Sequence, residues 1–177
     1  MNTLENFNKM VNKCFYLSEL TRIMKIAADL LPSGSYKNLG GYLALGDFET
    51  GFVACAGAGE FSKEEKIFFS INATKAVNQI MWANGHQEKV GLKSYQIFRG
   101  AIAMNGMAVS FFGSPHKECN LAIAVAYAAY CSALNVSGNF YTDPQKIKMK
   151  VTELITTFIE TSGKKNNLLL KLAEALK

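Results

Sequence analysis

The chain has 177 residues, 49% of them hydrophobic and 19% charged, with 12 Phe and 7 Tyr. That much apolar surface offsets the ordering entropy of folding and excludes wholesale disorder, and the length suits one domain better than two, because neither half would bury much core alone. The net charge of +5 is concentrated after Pro144, where seven Lys face three Glu; Lys146, Lys148 and Lys150 lack interleaved aromatics or Arg, so they read as a solvated helix face and argue against a nucleic-acid partner.

Apolar residues at Leu4, Phe7, Val11 and Cys14 predict a short first helix. A second is predicted over Ser18 to Leu31, where Leu20, Ile23, Met24, Ala27, Leu30 and Leu31 share one face, Ser18 is placed to cap the start and Pro32-Ser33-Gly34-Ser35 ends it. Two short apolar runs follow, Tyr42 to Leu45 and Phe52 to Cys55, and the Asp47 to Gly51 segment between them suits the turn of a β-hairpin. From Ser62 another helix is predicted. Ser62 and Glu65 make a capping box, Phe69, Ala73, Ala76, Val77 and Ile80 form the buried stripe, and Asn84-Gly85 marks the stop.

Residues His86 to Gln96 are unpatterned and read as a loop or short irregular strand. Gly100 to Met104 and Met107 to Phe112 then flank Asn105-Gly106, the pair that best accepts the two positive φ values of a type I′ turn. The segment His116 to Leu134 is apolar on every side after Asn120, so it requires cover on more than one face, from the sheet and from either the C-terminal helix or a second subunit. That helix carries Ile147, Val151, Leu154, Ile155 and Phe158 on one face, and a last amphipathic piece runs from Asn166 to Lys177 with Leu168, Leu169, Leu172 and Leu176.

The order of elements lacks the βαβ alternation that parallel strands need. The expected class is therefore α+β, a profilin-like antiparallel sheet flanked by helices, with additional N- and C-terminal helices. One domain over 1–177 is expected, its core at about 39–134 and helical extensions at 1–35 and 144–177. The longest apolar stretch, Leu121 to Leu134, falls short of the roughly 20 residues that span a bilayer. Met1-Asn2-Thr3-Leu4-Glu5 does not open like a secretory signal. Cys14, Cys55, Cys119 and Cys131 form no CxxC pair and read as reduced thiols, so a cytoplasmic location without membrane contact is expected.

Several central segments resemble the GlcG-like family, which includes heme-binding proteins and the C-terminal domain of some cobalamin-operon proteins. Leu45-Gly46-Asp47-Phe48-Glu49-Thr50-Gly51 resembles that family's strand-Asp-x-x-Gly-strand opening, and Lys75-Ala76 its helical Lys-Ala pair. Arg99-Gly100-Ala101-Ile102 before Asn105-Gly106 is similar to its Gly-Gly-x-Pro-Ile segment and turn, with Arg99 standing where the family has Gly. Ser110 to Gly113 followed by Glu118 and an Ala-rich helix resembles its Gly-x-Ser-Gly-x-x-x-Asp-Glu ending. The resemblance covers about Leu39 to Leu134. It implies a non-enzymatic domain binding heme or another small anionic molecule near the second hairpin and the Ala-rich helix.

His116, at the start of that helix, reads as a surface or capping residue or, alternatively, as the candidate metal ligand, since a neutral imidazole nitrogen can hold heme iron and a helix N-terminus disfavours protonation. Arg99, Lys75 and Glu118 are the charged residues nearest the family-like motifs and the remaining candidate ligand contacts. Arg99 and Glu118 also read as a structural ion pair. His86, in a polar loop, reads as a surface residue. The alternative to a ligand is a homodimeric, roadblock-like or profilin-like interaction module built on the apolar helix and a sheet edge. An enzyme using Glu118 or His116 as acid or base has no nucleophile and base in a recognised spacing to support it.

Overall fold

The structure is a computed structural model and describes residues 16–31, 40–85, 96–98, 100–114, 116–135, 143–163 and 166–177. The expected first helix, Cys14, His86 and Arg99 lie outside the described residues.

Helix α1 (Leu17–Asp29) buries Leu20, Ile23, Met24 and Ala27, as its spacing predicts. Its start differs from the expectation. Tyr16 rather than Ser18 occupies the N-cap, with no side-chain cap, and the Tyr16 amide donates to Tyr127 Oη at 2.7 Å from 111 residues away. Strands β1 (Gly41–Asp47) and β2 (Val53–Ala58) form the first hairpin. Asp47 holds its turn by accepting from the Thr50 amide at 3.1 Å and the Glu49 amide at 3.3 Å.

Helix α2 (Lys63–Gly85) opens with the predicted capping box: the Ser62 amide donates to Glu65 Oε2 at 2.7 Å, and the Glu65 amide to Ser62 Oγ at 3.2 Å. Strands β3 (Gln96–Phe98), β4 (Ala101–Met104) and β5 (Met107–Phe112) follow. Between β4 and β5, Asn105 at φ 47° and Gly106 at φ 81° make the left-handed pair that the Asn-Gly dipeptide predicts. Helices α3 (Lys117–Asn135), α4 (Pro144–Ser162) and α5 (Asn167–Ala175) complete the described chain.

The strands lie in the order β2-β1-β5-β4-β3 with every neighbouring pair antiparallel. This is the expected α+β class: a profilin-like antiparallel sheet flanked by helices, with further helices toward both ends. Because side chains alternate across a strand, the sheet has two unlike faces. Ala44, Ala101, Ala103 and Ala108 line one and meet Ala73, Ala76, Val77, Ile80 and Ala83 of α2. Small residues let the helix come close. A Cβ added at Gly46 would stand 2.7 Å from Val77 Cγ1 and Met81 Sδ.

Leu43, Leu45, Ile102, Met104, Val109 and Phe111 line the other face, beneath α1, α3, α4 and α5. Helix α3 is the hub of that layer. It packs on β4 and β5 and is wrapped by α1, α4 and α5, so the second cover its apolar sequence demands comes from the same chain. Cys119, Ala122 to Ala129, Cys131 and Ala133 are all buried. No helix among the described residues is long and apolar enough to cross a membrane.

Candidate functional site

Helix α2 is apolar on two opposite faces. The inner face carries Ala73, Ala76, Val77, Ile80 and Ala83 against the sheet, while the outer one presents Ile67, Phe68 and Ile71, exposed by 55%, 62% and 58%. Trp82, two turns beyond Lys75, is exposed as well. A helix with apolar residues all round is normally covered all round. Here the sheet covers only one face. The predicted stripe omitted the outer residues, although their signal is present in the sequence as apolar positions out of phase with Ala73 and Val77.

Along the C-terminal half of this outer face runs a groove of about 790 Å³, lined among the described residues by Ser70, Thr74, Lys75, Asn78, Gln79 and Trp82, with Ile71 at its apolar end. Lys75 is its one ionic group among them. Beside it, Cys55 on the edge strand β2 is exposed along one side, yet its thiol is turned toward α2. Partial burial pushes that thiol above its ordinary range, and a hydrogen bond with Thr74 offsets part of the rise.

The remaining candidate residues sit elsewhere. His116 directly precedes α3, its side chain exposed, its carbonyl accepting from the Cys119 and Asn120 amides and its amide donating to Ser114 Oγ at 3.1 Å. Its backbone thus completes the start of the helix. The turn from β5 into α3 is held by Asn120, whose Oδ1 accepts from the Gly113 and Ser114 amides and whose Nδ2 donates to the Ser114 carbonyl at 2.8 Å. Glu118 also exposes its side chain, and its carbonyl accepts from Asn166 Nδ2 at 3.1 Å. Lys75 in α2 and Glu118 in α3, with His116 just ahead of that helix, therefore lie on opposite faces of the sheet, and the groove beside Lys75 counts neither His116 nor Glu118 among its described lining. Arg99 lies outside the described residues, so its pairing with Glu118 does not enter the geometry.

A second cavity, of about 450 Å³, opens in the helical layer where Ile23, Ala126, Ile147 and Val151 form an apolar floor beside Arg22 and Tyr130. Arg22 forks onto Glu19, donating from Nε at 2.9 Å and Nη2 at 2.5 Å. That hydrogen bond holds the guanidinium above its ordinary range, against the opposing effect of burial. Burial first, then the Glu19 charge, raises the Tyr130 phenol. The charge of Arg22 is thus answered within its own helix.

Cys119 is buried and its thiol is raised by that burial, with a hydrogen bond to Ser114 pulling the other way. Such a thiol is an inert core group rather than a nucleophile. No group of three or more His, Cys, Asp or Glu among the described residues is placed to hold a metal ion. Lys146 remains solvated as expected, and Lys150 donates to Glu153 at 2.6 Å on the same helix. Compared with protein-family models, curated proteins and solved structures, the chain matches none.

Proposed function

We propose that this chain is a homodimeric interaction module that docks through the outer face of α2. The observation that carries this reading is the cluster Ile67, Phe68 and Ile71, three large apolar side chains each more than half exposed and side by side on one rigid helix. Contiguous apolar patches on soluble domains mark interaction surfaces more often than chance. Fully burying one such side chain is worth about 1.5–3 kcal/mol, and a symmetric pair buries the cluster twice. The edge strand β2, whose Val53–Ala58 sequence carries no charge, packs against α2 as well. Free thiols at Cys55, Cys119 and Cys131 fit a reducing compartment such as the cytoplasm.

Sedimentation at tens of micromolar tests the reading. The chain is expected to be dimeric and Ile71→Glu monomeric yet still cooperatively folded, because Ile71 is not among the buried core residues. A monomeric parent chain sinks it.

A second reading, a non-enzymatic domain for heme or another small anionic molecule, has its own observation in the groove beside Lys75. Its volume lies within the roughly 300–1,000 Å³ of small-molecule sites, and Lys75, Asn78 and Trp82 supply a cation, an amide and an aromatic plane. The two readings compete for Lys75. Mass spectrometry and an absorbance spectrum of the purified protein separate them, since a retained small molecule favours the second. A Soret shift with hemin that Lys75→Ala abolishes favours its heme form at this groove.

A further inference from the structure

Glu64, Phe68, Ile71, Lys75, Asn78 and Trp82 recur along α2 at alternating spacings of four and three, and all six are exposed. That alternation is the spacing of a seam between two helices. A two-fold axis perpendicular to α2 runs the two seams antiparallel, and the position of the axis decides which residues meet.

An axis level with Ala73 sets Glu64 against the partner's Trp82, Phe68 against the partner's Asn78 and Ile71 against the partner's Lys75. Every contact then joins unlike chemistry. An axis between Ala76 and Val77 matches Ile71 with the partner's Trp82, but strands Phe68 beside the partner's Gly85 and leaves Lys75 facing the partner's Asn78. An axis between Phe69 and Ser70 sets Phe68 against the partner's Ile71 and Glu64 against the partner's Lys75, each contact made twice. In that register an apolar centre is flanked on both sides by opposite charges.

Resting on the homodimer reading, we infer that α2 pairs with a second copy of itself in this last register, through reciprocal Phe68–Ile71 contacts and Glu64–Lys75 ion pairs. The apolar centre supplies the affinity. The flanking charges choose the register, because both shifted alignments set Lys75 against a neutral residue, the partner's Ile71 or the partner's Asn78. The groove beside Lys75 becomes the seat of the partner's first α2 turn.

The test uses two single charge reversals in the full chain, Glu64→Lys and Lys75→Glu. Each alone places two like-charge pairs in its own homodimer and is expected to weaken self-association about tenfold or more. Mixed in equal amounts, the two variants form a heterodimer in which both pairs are again opposite, so sedimentation is expected to recover the parent dimer. Zero-length carbodiimide coupling gives a second readout on the unaltered protein. Glu64 and Lys75 of one helix stand about 16 Å apart along its axis, so a coupled Glu64–Lys75 peptide pairing light- and heavy-isotope chains reports the two copies. A dimer that ignores the reversals, or a mixture no stronger than either variant alone, overturns the register and leaves the docking face standing. A parent chain that is monomeric throughout overturns both.

Discussion

Asn166 ties the end of the chain to its centre. It is buried, accepts from the Leu169 amide at 3.1 Å to cap α5, and donates to the Glu118 carbonyl, 48 residues away, at 3.1 Å. Asn166→Ala removes the cap, worth about 1 kcal/mol, and the second hydrogen bond to the Glu118 carbonyl, worth about 0.5–1.5 kcal/mol more. A loss of roughly 1.5–2.5 kcal/mol in urea unfolding is expected from those two terms. Asn166→Asp keeps the cap and is expected to lose less. The capping half of this role was legible, since Asn166 stands ahead of the Leu168 and Leu169 stripe. The bond to Glu118 was not, because nothing local connects the two positions. Glu118 itself was singled out for its carboxylate, yet it is the backbone carbonyl that the fold uses.

Elements governed by neighbours in sequence came out as their residues dictate. The Ser62 and Glu65 box and the Asn105-Gly106 turn are closed by contacts within a few residues. Gly106 is held at φ 81°, a conformation that costs an L side chain roughly 1–2 kcal/mol. Gly106→Ala is expected to destabilise the fold by about that amount in thermal or chemical unfolding. The start of α1 went the other way. Ser18 has the chemistry of a cap, but Tyr16 takes the position because the Tyr127 hydroxyl from α3 reaches its amide.

At the scale of the molecule, the helical layer behaves as one body organised around α3. Its alanines, Ala122, Ala124, Ala126, Ala128, Ala129 and Ala133, are small enough for α1, α4 and α5 to pack closely around it. A chain ended at Asn135 loses α4 and α5, and with them the cover over α3. Such a chain is expected to lose cooperative unfolding and to bind a hydrophobic dye such as ANS, an outcome that circular dichroism and fluorescence titration check directly. Retained cooperative unfolding would show instead that α4 and α5 are peripheral.

Spacing alone determined the α+β class, the amphipathic stripes, the hairpin turns and the helix starts that rely on near neighbours, because those depend on interactions spanning a few residues. It equally marked α3 as a helix needing cover on several sides. Which body supplies that cover, and which apolar residues remain outside, was decided only in three dimensions. Val77 and Ile71 are both β-branched residues of α2, and one is buried while the other faces outward solely because the small-residue face of the sheet lies on one side. Likewise, Lys75 and Glu118 were both singled out beside the family-like motifs, and the sheet between their helices separates them.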